Sequence, residues 1–421
     1  MQPLVISVEY DEYKVFACPS EVWIDAWRAA MANSTRQVPP RGRWDSLASL
    51  NMTDVAAVDS HQVLWKAVMQ IGFNLTTSCT TRPPPPSIDR PRCLPNFYVL
   101  GVPKAGSTEL NTIICKHPDI DCTRRGGEKE MRLWNDYLTS MPFGRANPHF
   151  PLQHYVNNRL LVIAPRNGSV FGDATPEYLT GYPLDGNLDR STFARWRVPS
   201  APTAPLPQLI HIFQPKVRLL AVLREPVERA FSQFKFFVGD VYSRAHRGGR
   251  SSLLTADFFD ATVYRELTGY TNCTQLHGGR CAFGWQSGFD QHSTLAEGSG
   301  VIGLVNGFYA LHLRVWRAYH GNAVSAICFE ELVRDPKAIM QAAWAHIGVD
   351  PAHGEHALAA WLDTRRQWSN PTTVRGLTMW QSTQRKLAEF YRPFTKDLAL
   401  DAAQHGDART LPLCEWAANA S

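Results

Sequence analysis

Phe97-Tyr98-Val99-Leu100-Gly101-Val102-Pro103-Lys104-Ala105-Gly106-Ser107-Thr108, FYVLGVPKAGST, decides how this chain is to be read. The apolar run Phe97–Val102 has the length of a buried strand and stops at a glycine and a proline. Beyond it, Leu110, Ile113 and Ile114 recur at helical spacing. The order is strand, loop, helix. The glycines match the phosphate-loop pattern G-x-x-x-x-G-K-[ST], but Ser107 stands where the lysine belongs, and the only lysine, Lys104, sits inside the turn. Backbone N–H groups around Ala105, Gly106, Ser107 and Thr108 are expected to face one site at the helix N-terminus, where the helix dipole favours an anion. Lys104 then approaches that anion from the side as a point charge. An ordinary strand-to-helix turn with a surface lysine would carry the same residues, so the loop alone does not decide.

A second motif does. In Arg218–Phe234, RLLAVLREPVERAFSQF, an apolar strand ends in Arg224 and Pro226 fits a first helical turn. Val227, Ala230, Phe231 and Phe234 then make the apolar face of the next helix. Arg224 therefore emerges at the carboxyl end of a strand, the edge where open parallel sheets bind ligands, and addresses the same crevice as the loop. Ser232 lies off the apolar stripe and adds a hydroxyl. Strands alternating with helices after residue 92 predict an α/β domain with a central parallel sheet flanked by helices.

With 421 residues, 44% hydrophobic, the chain can bury one large core or a core with an appendage. A net charge of +5 with 19% charged residues favours anionic ligands but falls far short of a nucleic-acid-binding surface. Residues 1–91 form an N-terminal region of unknown role, with helix-like pieces SEVWIDAWRAAM and HQVLWKAVMQIGF and a proline-rich linker near 82–87. The main domain is expected over 92–405, and a C-terminal tail over 406–421. No stretch of about 18 apolar residues marks a membrane anchor. Six sequons, at Asn33, Asn51, Asn74, Asn167, Asn272 and Asn419, point to a secretory compartment. The start MQPLVISVEYDEYKVF has no signal-peptide pattern, so entry would need a segment not seen here, or the sequons are idle. Of the nine cysteines, Cys273 and Cys281 flank a Gly278-Gly279 turn without zinc-site partners, which predicts a local disulfide.

PKAGST and LREPVERAFSQF resemble the 5′-phosphosulfate loop and the 3′-phosphate motif of sulfotransferases that use 3′-phosphoadenosine 5′-phosphosulfate. The resemblance continues through GFYALHLRVW and ICFEELVRDP to MWQSTQRKLAEFYRPF. Within the family the likeness is to Golgi carbohydrate enzymes, especially those acting on the 6-hydroxyl of 4-sulfated N-acetylgalactosamine. It implies a sulfotransferase fold, that nucleotide as donor, no metal, a glycosaminoglycan or other anionic polysaccharide as acceptor, and a Golgi location. It also implies Lys104 as a catalytic cation and Glu130, in GGEKEMRLW, as the base, with Glu128 as fallback and Lys129 as a contact to donor or glycan. Arg375 and Gly376, in TTVRGLTMW, match a loop closing over the nucleotide. His117 and His292 sit in no matching motif and are expected to be structural. Two departures stand out. Ser107 replaces a usual threonine, and GDATPEY carries Asp173 and Ala174 where heparan-type relatives have Glu-Lys, which counts against a heparan acceptor. A non-catalytic glycan-binding protein on this fold and a P-loop kinase are the alternatives; Ser107 and Arg224 argue against the kinase.

Overall fold

The computed structural model describes residues 73–74, 77, 79–80, 92–122, 129–131, 134, 162–163, 169–180, 206–242, 254–277, 301–364, 377–405 and 414–419. The linker near 82–87, Glu128, Cys281, His292, Arg375 and Gly376 lie outside them.

Four strands form the central sheet: β4 (Phe97–Gly101), β6 (Gly172–Asp173), β7 (Arg218–Leu223) and β8 (Val324–Cys328). Their order is β6-β4-β7-β8 and every pairing is parallel. All of β4 and all of β7 except Arg218 are buried, which is why both read as unbroken apolar runs rather than alternating ones. The chain leaves β4 for β6 on one side, and β7 pairs on the other, so the strand order reverses at β4. A crevice opens beyond the carboxyl ends of strands at such a reversal.

Helices α1 (Ser107–Ile114), α2 (Leu206–Phe213), α3 (Pro226–Phe236), α4 (Ala256–His277) and α5 (Tyr309–His320) flank the sheet, followed by α6 (Phe329–Arg334) and α7 (Pro336–Ile347). Then come α8 (Pro351–Thr364), α9 (Gln381–His405) and α10 (Glu415–Ala418). The stripes predicted for α1 and α3 are buried as expected, at Leu110, Ile113 and Ile114 and at Val227, Ala230, Phe231 and Phe234. Proline opens α3 and α7, and Glu225 and Asp335 cap them through their carboxylates. Two stretches of the family likeness meet where α5 packs on α9. There Arg314 forks onto Asp397 at 2.8 Å and bonds Asp401 at 2.9 Å, while Arg317 pairs with the fully buried Asp401. Paired charges of this kind tolerate burial because every one of them is hydrogen-bonded.

A second, antiparallel sheet of two-residue strands runs β1 (Phe73–Asn74), β2 (Cys79–Thr80), β3 (Arg92–Cys93) and β5 (Val162–Ile163). It shifts the boundary expected at 91/92: β1 and β2 precede that point, yet β2 pairs with β3 and β1 with β2, and a Cys79–Cys93 disulfide crosses it. Phe73, the last residue of the helix-like HQVLWKAVMQIGF, is instead the first of β1, its ring edge-on to Phe213. Within the expected tail, Cys414 is bonded to Cys328 at the end of β8, which ties residues 414–419 to the fold. Cys115–Cys122 is a third disulfide.

Candidate active site

The loop after β4 is shaped by two glycines and a lysine in the left-handed region: Gly101 (φ 103°), Lys104 (φ 66°) and Gly106 (φ 94°). A Cβ on Gly101 would lie 1.8 Å from the Pro176 carbonyl oxygen, and one on Gly106 would lie 2.1 Å from the Phe329 ring. Neither position admits a side chain. Lys104 is the one non-glycine residue with positive φ among the described residues, a conformation that costs on the order of 1 kcal/mol and clusters at functional sites. The turn lifts its side chain out of line with α1, so its ammonium rests 4.0 Å from the centre of the Phe236 ring.

Helix α1 begins with no side-chain cap, which leaves its N-terminus for a ligand. Ala105 behaves differently from the expectation that its N–H faces the anion. It is fully buried and its N–H turns back to the Val102 carbonyl at 3.2 Å, closing the loop.

Arg224 leaves the end of β7 and donates to the Lys104 carbonyl at 3.4 Å, so the two motifs meet directly. Its guanidinium also lies 3.7 Å from Glu228 and 5.4 Å from the Phe329 ring centre. Glu228, half-buried Ser232 and Phe236 follow at four-residue steps along one line of α3. With Lys104 lying over Phe236, that line faces the loop, and Ser232 faces it too. Lys235 adds a cation that the sequence reading did not single out. Burial lowers its pKa, and Arg224 repels its charge while Glu228 favours it.

Glu130 is brought to the loop by its neighbour. Lys129 donates to the hydroxyls of Ser107 and Thr108, both at 3.2 Å, and pairs with Glu130 at 3.0 Å. A single ammonium thus bridges the anion loop and the candidate base. This segment is anchored by Asp173, fully buried at the end of β6. One carboxylate oxygen accepts the Met131 N–H at 3.1 Å and the Thr175 hydroxyl at 2.6 Å; the other accepts the Tyr178 hydroxyl at 2.5 Å. Burial first, and the Asp173 charge second, hold the Tyr178 phenol well above its ordinary value, so it stays a donor. Asp173, noted in sequence as a family departure, is a structural anchor for the segment that carries the candidate base. The signal was available: a carboxylate at a strand end followed by threonine and tyrosine, GDATPEY, has the hydroxyls to satisfy itself on burial.

His117 is structural, as expected: buried, it bonds the Asp350 carbonyl at 2.8 Å and packs on Trp344. Cys328, Glu331 and Cys414 cluster as metal ligands would, but the two cysteines are joined as a disulfide and offer no thiolate.

No family model matches the chain. It is 25% identical over 333 residues to "Carbohydrate sulfotransferase 15" of Homo sapiens, covering 74% of this chain and 54% of that protein. To the "Membrane-associated sulfotransferase kil1" of Dictyostelium discoideum it is 23% identical over 290 residues, covering 66% and 50%. The chain thus spans about half the length of the curated relatives it matches. Among solved structures, a sulfotransferase from Alicyclobacillus acidocaldarius superposes with a TM-score of 0.43 at 21% identity, over 74% of this chain and 96% of that one. At a quarter identity over 74% of its length, the chain is a sequence relative of the carbohydrate sulfotransferases.

Proposed function

We propose that this protein transfers a sulfuryl group from 3′-phosphoadenosine 5′-phosphosulfate to a hydroxyl of an anionic glycan. The observation that carries the reading is the contact of Arg224 with the Lys104 carbonyl, which sets a cation from β7 against an uncapped helix N-terminus after β4. Three cations, Lys104, Lys129 and Arg224, meet at that point, Lys129 paired with Glu130 and Arg224 with Glu228. The residues fit the donor. Hydroxyls of Ser107 and Thr108 and first-turn N–H groups suit its 5′-phosphosulfate, and Arg224 with Ser232 suits its 3′-phosphate. Arg375 and Gly376 are proposed to close over the nucleotide.

The chemistry assigns each residue a task. Glu130 takes the proton of the acceptor hydroxyl as its oxygen attacks sulfur. Lys104 stabilises the bridging oxygen as the S–O bond to the nucleotide phosphate breaks and charge builds there. No lysine stands at 107, the position a nucleoside-triphosphate loop requires, which separates this reading from a kinase.

The proposed acceptor is the 6-hydroxyl of 4-sulfated N-acetylgalactosamine in chondroitin- or dermatan-type chains, supported by the resemblance in MWQSTQ and FYRPF and by the net charge of +5. A secretory location, in the Golgi lumen or at its membrane, is supported by the three disulfides among the described residues and by the sequons. No described helix is long and apolar enough to cross a membrane. Calorimetry with 3′-phosphoadenosine 5′-phosphate tests the donor site. Arg224→Ala removes a charge-assisted contact of roughly 1.5–3 kcal/mol and is expected to weaken binding about tenfold or more. Equal affinity in parent and variant would remove the 3′-phosphate assignment.

A further inference from the structure

The peptide group joining Arg224 to Glu225 is held at both of its polar ends. The Tyr309 hydroxyl donates to the Arg224 carbonyl at 2.6 Å, and the Glu225 N–H donates to a Glu330 carboxylate oxygen at 2.9 Å. Both of those side chains converge on Trp416. Its indole N–H donates to the other Glu330 oxygen at 3.0 Å, and its ring packs against Tyr309 with centres 5.9 Å apart. Trp416 belongs to α10, which is fastened three ways: by the Cys328–Cys414 disulfide, by the Glu415 N–H on the Glu331 carboxylate at 3.0 Å, and by the Arg334–Glu415 ion pair. Between Cys328 and Glu330, the Phe329 ring fills the gap that Gly106 leaves and lies beside the Arg224 guanidinium.

We propose that Glu330 and Trp416 are positioning residues for the donor's 3′-phosphate, acting through the Arg224–Glu225 peptide. The proposal rests on reading Arg224 as the 3′-phosphate contact. A peptide plane fixed at its C=O and its N–H cannot rotate, so the Arg224 Cα–Cβ direction is set before the ligand arrives. Only the side chain itself then has to be ordered on binding. Preorganisation of this kind is expressed in affinity. Glu330 can sit near an anion site because each of its oxygens already accepts a hydrogen bond from a protein donor. The C-terminal segment is therefore a working part of the donor site.

The test is calorimetry on the full chain with two probes, 3′-phosphoadenosine 5′-phosphate and adenosine 5′-phosphosulfate, which lacks the 3′-phosphate. Glu330→Ala is expected to weaken the first roughly three- to tenfold and leave the second unchanged. Trp416→Phe, which keeps an aromatic ring but removes the indole N–H, should move in the same direction by less. In an Arg224→Ala background, Glu330→Ala should add nothing, the signature of action through that arginine. Unchanged affinity for the first probe in both single variants overturns the proposal, and so does equal weakening of both probes, which would mark a merely structural role. If Arg224→Ala itself binds the first probe like the parent, the donor-site reading fails and takes this inference with it. If Arg224→Ala weakens binding and Glu330→Ala does not, the inference alone fails.

Discussion

Replacing Asp173 by asparagine separates the anchor of the candidate base from the base itself. The carboxylate is fully buried and accepts hydrogen bonds from Met131 and Thr175 on one oxygen and from Tyr178 on the other. An amide keeps the first oxygen and its partners, Met131 and Thr175. Its NH2 then meets the Tyr178 hydroxyl, which already accepts the Trp134 N–H at 3.2 Å and is left with its own proton unplaced. The substitution thus forfeits one charge-assisted bond. The remaining two weaken as the charge goes, and the desolvation recovered by a neutral group offsets that. A net loss of about 1.5–3 kcal/mol follows. At roughly 2 °C per kcal/mol for a large domain, the melting temperature should fall by about 3–6 °C. Turnover should fall as well, because the Met131 N–H bond, together with the Ala174 N–H on the Lys129 carbonyl, fixes the segment carrying Lys129 and Glu130. A thermal melt and a transfer assay on the same preparation check both. A melting temperature within 1 °C of the parent together with parental turnover would refute the anchor.

Three further outcomes follow from the same geometry. If Lys104 has its proposed role, meeting the donor in the ground state and the leaving oxygen more strongly in the transition state, Lys104→Ala should lower both donor affinity and single-turnover rate, which rapid-quench measurement with labelled donor resolves. Glu266 is buried, accepts the Ile302 and Leu304 N–H groups, and has its pKa pushed up to about 7 by burial. The folded state therefore holds a proton that the unfolded state releases near pH 4.5, and its contribution to stability is lost as pH rises from about 4.5 through 7, by up to about 3 kcal/mol. Melting curves should show Glu266→Gln gaining on the parent between pH 5 and pH 8, and parallel curves would contradict this. After expression through a secretory route, non-reducing peptide mapping should recover Cys79–Cys93, Cys115–Cys122 and Cys328–Cys414, with Cys273 joined to Cys281 and glycans on the sequons; free thiols throughout would remove the case for a lumenal enzyme.

What the sequence made legible was local. Phe97–Val102 and Leu219–Leu223 read as buried strands because central parallel strands are apolar on both faces. Arg224 and Lys104 were readable because each breaks such a run at its carboxyl end, and the structure joins them by a hydrogen bond. Long-range partners were not readable. Nothing in EKEM shows that Lys129 spans to Ser107 and Thr108, twenty-two and twenty-one residues away. The same holds for Cys328 and Cys414, eighty-six residues apart, and for Trp416, whose role depends on where α10 docks. Phe73–Asn74 and Cys79–Thr80 were assigned to an appendage because strands of two residues leave no periodic pattern, and only the pairing of β1 with β2 and of β2 with β3 reveals them.

The measurement that bears most directly on the account is transfer of labelled sulfuryl from 3′-phosphoadenosine 5′-phosphosulfate to a panel of sulfated and desulfated glycans, run with the parent and Glu130→Gln. The account predicts incorporation by the parent into chondroitin- or dermatan-type chains. For Glu130→Gln it predicts a rate lower by about 10²–10⁴-fold with donor affinity nearly intact, because the base acts on the acceptor hydroxyl. Glu128→Gln should leave the rate near the parent's. Absence of transfer to any glycan despite donor binding would make the protein a glycan-binding relative rather than an enzyme, and a parental rate in Glu130→Gln would contradict the mechanism at its central residue.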